Sequence, residues 1–254
     1  MNNSIISLTT FLVLLLIALG AARLGKTAIF VTSAMFIILS NITVTIPIDL
    51  FRFGPGDLDT FKPLGQPIVF SLAIIIYSVV YFLADIVCNQ YGKSSGYKLA
   101  ASNLGVQLVL WAYVWLSSCF VPESSGAAQF EAMKSMFSTS AQISFAAIVA
   151  SAGPFLDVYV FDVVRQKWDK ITFVKRFVPN PHLSTIIRMK LSTIVGQTVN
   201  TIIFFSIALL GNEAINAPTL VSIIVTAAVI KCVIALLDIP AILIHQRWLV
   251  SPER

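Results

Sequence analysis

Residues Ser140–Val164 read SAQISFAAIVASAGPFLDVYVFDVV. The stretch is long and apolar enough to cross a bilayer, since about 20 residues at 1.5 Å per residue cover about 30 Å of hydrocarbon. Inside it stand Asp157 and, one turn earlier, the pair Gly153-Pro154. A carboxylate at membrane depth costs about 2.5–3.5 kcal/mol on insertion scales, so such a residue faces a bundle interior or a water-filled cavity. Whether this is a membrane span with a polar purpose depends on the rest of the chain.

Outward from it, apolar segments of similar length recur over 4–22, 27–47, 67–90, 97–121, 188–211 and 218–245, which makes seven in all. Unbroken runs such as Phe11–Leu19 fit helices and not the alternation of a membrane barrel. Composition agrees. Of 254 residues, 57% are hydrophobic and 11% charged, with a mean hydropathy of +0.87, far from the soluble range. The expected fold is all-α, a polytopic transmembrane helical bundle forming a single domain over 1–254. The first segment follows MNNS, which has no Lys or Arg, and is read as a retained span and not as a cleaved signal peptide.

The net charge of +5 does not mark a nucleic-acid binder, because the basic residues fall in short links between apolar runs. The links after spans one, three and five, with the C-terminal tail, hold Arg23, Lys26, Lys93, Lys98, Arg165, Lys167, Lys170, Lys175, Arg176, Arg188, Lys190, Arg247 and Arg254. The links after spans two, four and six hold Arg52, Lys62 and Lys134 against Asp49, Asp57, Asp59, Glu123, Glu131 and Glu213. The positive-inside rule puts the N-terminus outside and the C-terminus in the cytoplasm. The outer link Asp49–Gln66 reads as an irregular loop able to lie over the outer opening. The inner link Arg165–Ile187 reads as a retention signal, with binding of anionic lipid headgroups as a second reading.

Two strings carry no chemistry. Gly20–Thr27 matches the P-loop pattern G-x-x-x-x-G-K-[ST], but it joins two apolar spans, whereas a P-loop follows a strand and opens a helix. A tight turn is expected there. Cys88, Cys119 and Cys232 lack metal-ligand spacing, so neither metal nor cofactor is expected. His182 and His245 lie at the membrane edge, and HExxH and GxSxG strings are absent, which argues against an intramembrane enzyme.

The polar residues at depth carry the functional reading. Asp85, Asp157 and Asp238 fall in the inner parts of spans three, five and seven, Asn103 and Gln107 in span four, Gln197 and Asn200 in span six, and Lys231 near the middle of span seven. Together they suggest one polar depth zone. A mid-membrane lysine needs a partner or loses its charge, and Asp157 and Asp85 are the available acids on other helices. Such charges either staple the bundle or line a substrate or ion pathway. Asp157 with Phe161, and Asn200 with Phe204, each set a polar group and a ring on one helix face. Gly153-Pro154 and Gly196 precede them as loosening elements.

The chain resembles the queuosine precursor transporters, a vitamin-uptake-transporter-like family related in architecture to the substrate-binding S-components of ECF transporters. The resemblance rests on Asn41-Ile42, on Phe82-Leu83-Ala84-Asp85-Ile86 with Tyr91-Gly92-Lys93, and on Leu156-Asp157-Val158-Tyr159-Val160-Phe161. It continues through Arg188, Leu191-Ser192-Thr193, Gln197, Thr201 and Phe204 to Lys231 and Ala235-Leu236-Leu237-Asp238-Ile239-Pro240. It implies uptake of a 7-deazaguanine such as queuine, preQ0 or preQ1 across the inner membrane, by a multi-pass protein. A guanine-like edge offers N–H donors to a carboxylate or amide, and its flat face can stack on Phe161, Phe204 or Tyr159. The expected substrate-binding residues are Asp85, Asn89, Asp157, Phe161, Gln197, Asn200, Phe204 and Lys231, with Lys231 neutralising Asp157 or carrying a coupling proton. The sequence departs from the family pattern at Asn89, where a Glu is usual, at Pro154, where a Gln is usual, and at Asn200, where an Asp is usual. Rival readings are an ECF-type S-component, to which small residues such as Gly20-Ala21-Ala22 would offer a packing face, and a non-transport structural membrane protein. Partners beyond the heterocycle and the bilayer would be a second copy of the chain or an ECF-like energising module.

Overall fold

In the computed structural model, residues 3–44, 47–49, 69–136, 141–168, 181–209 and 216–246 are described, and nearly all of them are helical. Helices α1 (Asn3–Leu24) and α2 (Lys26–Thr43) lead into a short antiparallel ribbon of β1 (Pro47–Asp49) and β2 (Val69–Ser71). There follow α3 (Ala73–Ser118), a 3-10 turn at Ser124–Gly126, α4 (Ala127–Met136), α5 (Ala141–Ala150) and α6 (Ala152–Trp168). The last helices are α7 (Pro181–Ala208), α8 (Ala217–Leu237) and α9 (Ile239–Ile244). The fold is the all-α polytopic bundle expected. The ribbon is an addition that the hydropathy pattern does not foretell. The residues read as an outer lid and most of the basic link after span five lie outside the described residues.

Among the described residues six helical stretches are long and apolar enough to cross a membrane, where hydropathy along the sequence marks seven segments. The difference lies in α3, whose 46 residues would reach about 69 Å if straight, more than twice the hydrocarbon thickness. Gly92 interrupts it with φ 78° and ψ 172°, a conformation essentially reserved for glycine. Beyond it the chain turns back. Tyr77 and Gln107, one from each half, line the same cavity, and a Cβ on Gly96 would run into Cys88 and Val158. The helix is therefore a hairpin of two spans, 73–91 and 93–118, matching the third and fourth apolar segments.

The first half of this hairpin is the centre of the bundle. Ser78 through Cys88 are all buried, as a helix enclosed on every side must be. The outer helices show the converse. Val221, Val225, Val229 and Val233 of α8 stand exposed at every fourth residue, as do Leu8, Leu12 and Leu16 of α1. Continuous apolar stripes of this kind face lipid. Ala18, Ala21 and Ala22 of α1 are buried within the bundle, so the small residues there are used internally. The P-loop-like string is the joint between α1 and α2, turned by Gly25 at φ 103°.

The ends of the bundle are set by charge. Lys26 donates to Ser95 Oγ at 2.8 Å and stands over the Tyr91 ring, while Lys93 pairs with Asp162 at 2.8 Å. The links after spans one and three thus meet each other and the foot of α6 at one basic end, which the positive-inside rule makes cytoplasmic. At the opposite end the Asn3 side chain donates to the Asp49 carbonyl at 2.8 Å.

Replacing Gly92 by Ala forces a Cβ into a conformation that costs on the order of 1–3 kcal/mol. Thermal unfolding of the purified protein in detergent should fall for Gly92→Ala. Gly105→Ala, at a helical position with open space around it, should leave the midpoint unchanged or slightly raised.

Candidate functional site

The fifth span is where the backbone opens. Its helix breaks between α5 and α6 at Ser151, whose N–H reaches back to the Ile148 carbonyl at 3.1 Å. The cause is Pro154. In an unbroken helix the N–H of residue 154 would bond the carbonyl of Ala150, and proline has no N–H to give. The orphaned carbonyl at membrane depth is taken by Asn200 of α7, whose Nδ2 donates to it at 2.8 Å. Asn200 Oδ1 in turn accepts from Lys231 Nζ of α8 at 3.0 Å. Lys231 stands 5.7 Å from the centroid of the Tyr77 ring, within cation–π range. The Tyr77 hydroxyl has Gln107 and Asn200 as hydrogen-bonding neighbours, and Ser151 Oγ donates to Gln107 Oε1 at 2.8 Å. One missing donor in span five is thereby linked to side chains from four other spans.

These groups line a cavity with about 630 Å³ of empty space, its open mouth included. Ser40, Asn41, Ser71, Gln107, Asn200 and Lys231 supply its polar atoms, and Tyr77, Phe204 and Phe205 its rings. Phe204 and Phe205 meet edge to face at 5.2 Å. Helix ends and hydrophobic positions place the cavity in the half of the bundle away from the basic end. Among the described residues no carboxylate lines it.

Below the cavity, α6 and α7 pass too close for side chains. A Cβ on Gly153 would lie 2.6 Å from Asn200 Cβ, 2.7 Å from the Tyr81 hydroxyl and 2.8 Å from the Gly196 carbonyl; one on Gly196 would lie 2.7 Å from Asp157 Cβ. Small residues allow such crossings in membranes. Gly196 was expected to loosen its helix, yet α7 runs unbroken through it. Its role is contact.

A second polar cluster lies toward the basic end. Lys190 is buried and pairs with Asp85 at 3.1 Å and Asp238 at 2.7 Å. Thr193 Oγ1 donates to Asp85 at 3.0 Å. Spans three, six and seven are thus tied at one point. This corrects three expectations. Lys190 is a buried counter-ion and not a loop charge; Asp85 and Asp238 share Lys190 as their ion-pair partner; and Lys231 pairs with neither Asp85 nor Asp157 but with Asn200. The single polar depth zone is in fact two.

Of the eight residues expected in the site, Asn200, Phe204 and Lys231 line the cavity. Gln197 and Asp157 are buried beneath it, next to the glycine crossing. Neither end of the Gln197 amide has a partner among the described residues, nor has Asp157 Oδ1. Asp85 belongs to the inner cluster, Phe161 packs in the apolar core, and Asn89 is exposed. Tyr159, offered as a stacking ring, is 54% exposed on the outer surface. Sequence reading missed Tyr77, Tyr81 and Lys190. Lys190 carried a usable signal: with Thr193, Gln197, Asn200 and Phe204 it repeats at three- and four-residue steps along one face of α7.

Membrane-spanning helices around a cavity with an apolar wall and a few convergent polar groups make this a multi-pass membrane protein with a candidate ligand site. Residues 71–245 match the family described as "Putative vitamin uptake transporter", and the chain belongs to that family. No curated protein and no solved structure matches it.

Lys190→Met leaves two buried carboxylates without a counter-charge and is expected to cost about 3–5 kcal/mol, read as a lower unfolding midpoint in detergent. Replacing Asp85 and Asp238 by Asn and Leu in the same chain removes the uncompensated charges and should recover most of that loss.

Proposed function

We propose that the chain imports a small planar nitrogen heterocycle, with a queuosine precursor of the 7-deazaguanine type as the first candidate. The observation that carries this reading is the cavity. Amides and hydroxyls stand at its wall beside Tyr77, Phe204 and Phe205, the combination that a flat ring with a hydrogen-bonding edge requires. Membership of a vitamin uptake family and the motif resemblance agree with it.

In this reading Asn200 and Gln107 receive and donate hydrogen bonds at the ligand edge, Lys231 donates to a ligand acceptor, and Phe204 supplies a ring face. Asp157 and Gln197 serve the ligand's passage below the cavity, where their free polar atoms would otherwise remain unsatisfied. Asp85 holds the inner end closed through Lys190 while the cavity opens on the other side. Phe161 and Asn89 act at a distance, Phe161 through packing and Asn89 from the cytoplasmic rim.

Uptake of labelled 7-deazaguanine precursors into cells expressing the protein tests both parts. Saturable uptake is expected in the wild type, with at least a tenfold loss of uptake at low substrate in Lys231→Met and in Asn200→Leu, a loss of about 1.4 kcal/mol or more. Full uptake by both variants would refute the site, and no uptake by the wild type would refute the substrate.

A further inference from the structure

The cavity has one formal charge. Among the described lining residues Lys231 is the only ionisable side chain apart from the Tyr77 phenol, and the remaining polar atoms belong to neutral amides and hydroxyls. An ammonium has three donors. Lys231 donates to Asn200 Oδ1, which leaves two of its donors available to an occupant of the cavity it lines. The bundle's carboxylates do not reach this space. Asp85 and Asp238 face Lys190 in the inner cluster, and Asp157 lies behind the Gly153–Gly196 crossing. Rings could also attract a cation, but the face of Tyr77 already has Lys231 over it, and Phe204 and Phe205 are engaged edge to face.

We propose that Lys231 is a specificity-determining residue that selects planar heterocycles whose exocyclic arm is neutral or anionic and carries an acceptor, and that rejects those with a cationic arm. A nitrile, carbonyl or carboxylate on the arm accepts from the free Nζ donors. An ammonium arm finds no carboxylate among the described lining residues and meets a like charge in a desolvated space, where discrimination arises from repulsion as much as from attraction. The inference rests on the proposed heterocycle reading, within which it divides the candidate ligands by charge.

Binding to the purified full-length protein in detergent tests it with three probes on the same 7-deazaguanine ring, bearing a nitrile, a carboxylate or an aminomethyl arm. The expected result is a Kd for the aminomethyl probe at least about tenfold weaker than for the nitrile probe. In Lys231→Gln the carboxylate probe should lose most affinity and the three constants should converge. Asn200→Asp, which sets a carboxylate against the lysine, should improve aminomethyl binding relative to nitrile and provides a second reading should Lys231→Gln fail to fold. Equal or tighter binding of the aminomethyl probe by the wild type overturns the inference while leaving the heterocycle reading intact, and so does a ratio unchanged in the variants. Binding of none of the three overturns the heterocycle reading, and the inference falls with it.

Discussion

The carbonyl of Ala150 has no helical donor because residue 154 is proline, and lipid offers no water to replace one. Much of the outer half of the bundle is arranged around that vacancy in the hydrogen-bond ladder. Asn200 fills it with its amide nitrogen and so turns its amide oxygen toward Lys231. Lys231 thereby gains an acceptor at a depth where an unpaired ammonium is costly. The freed Ser151 hydroxyl fixes Gln107, and Gln107 neighbours Tyr77. Structural satisfaction and cavity chemistry meet in the same side chains, because Asn200, which takes the freed carbonyl, and Lys231 and Gln107, which Asn200 and Ser151 hold, all line the cavity.

The inner half obeys a different constraint. Two carboxylates, each within 3.1 Å of one shared ammonium, form a closed arrangement in which charged groups face one another and not the cavity. Such a cluster holds three spans in register but strongly penalises the loss of any one member. The outer half instead uses amides and one cation, an arrangement that can exchange partners with a ligand. Under the proposed transport cycle this contrast gives the two ends different tasks, a seal at the cytoplasmic side and a receptive chamber at the other.

The spans were legible from hydropathy because lipid imposes the 20-residue apolar length directly, and the meeting of the first and third links at one end was legible because the basic links alternate. The hairpin at Gly92 was legible only as a count of seven; that a single glycine makes the reversal depends on its φ of 78°, which no pattern displays. The pairing of charges was misread for a physical reason. Lys231 and Asp157 fall at comparable positions along their apolar segments, and position along a segment is all that a linear sequence reports. The angular position of each residue about its helix decides who meets whom, and the α7 stripe of Lys190, Thr193, Gln197 and Asn200 was the place where that angle could have been read. Pro154 was read as a loosening element and as a departure from the family's Gln; the break is present, and what the sequence did not display is which side chain takes the acceptor that the break frees.

Helix α7 is the one element that enters both polar zones. Lys190 near its start holds Asp85 and Asp238, and Asn200 ten residues later holds Ala150 and Lys231. Between them Gly196 lies against Asp157 and Gly153 with no side chain to act as a cushion. A helix this continuous moves largely as a unit over so short a length, so a shift that separates Lys190 from its acids must also alter the contact at Gly196 and the bond from Asn200 to the Ala150 carbonyl. The reverse holds as well: a ligand that draws Lys231 away from Asn200 changes what anchors the outer part of α7. Packed interfaces of this kind prefer two discrete arrangements over a continuum, and the break in span five, whose carbonyl is held by a side chain and not by its own helix, is where the second arrangement costs least.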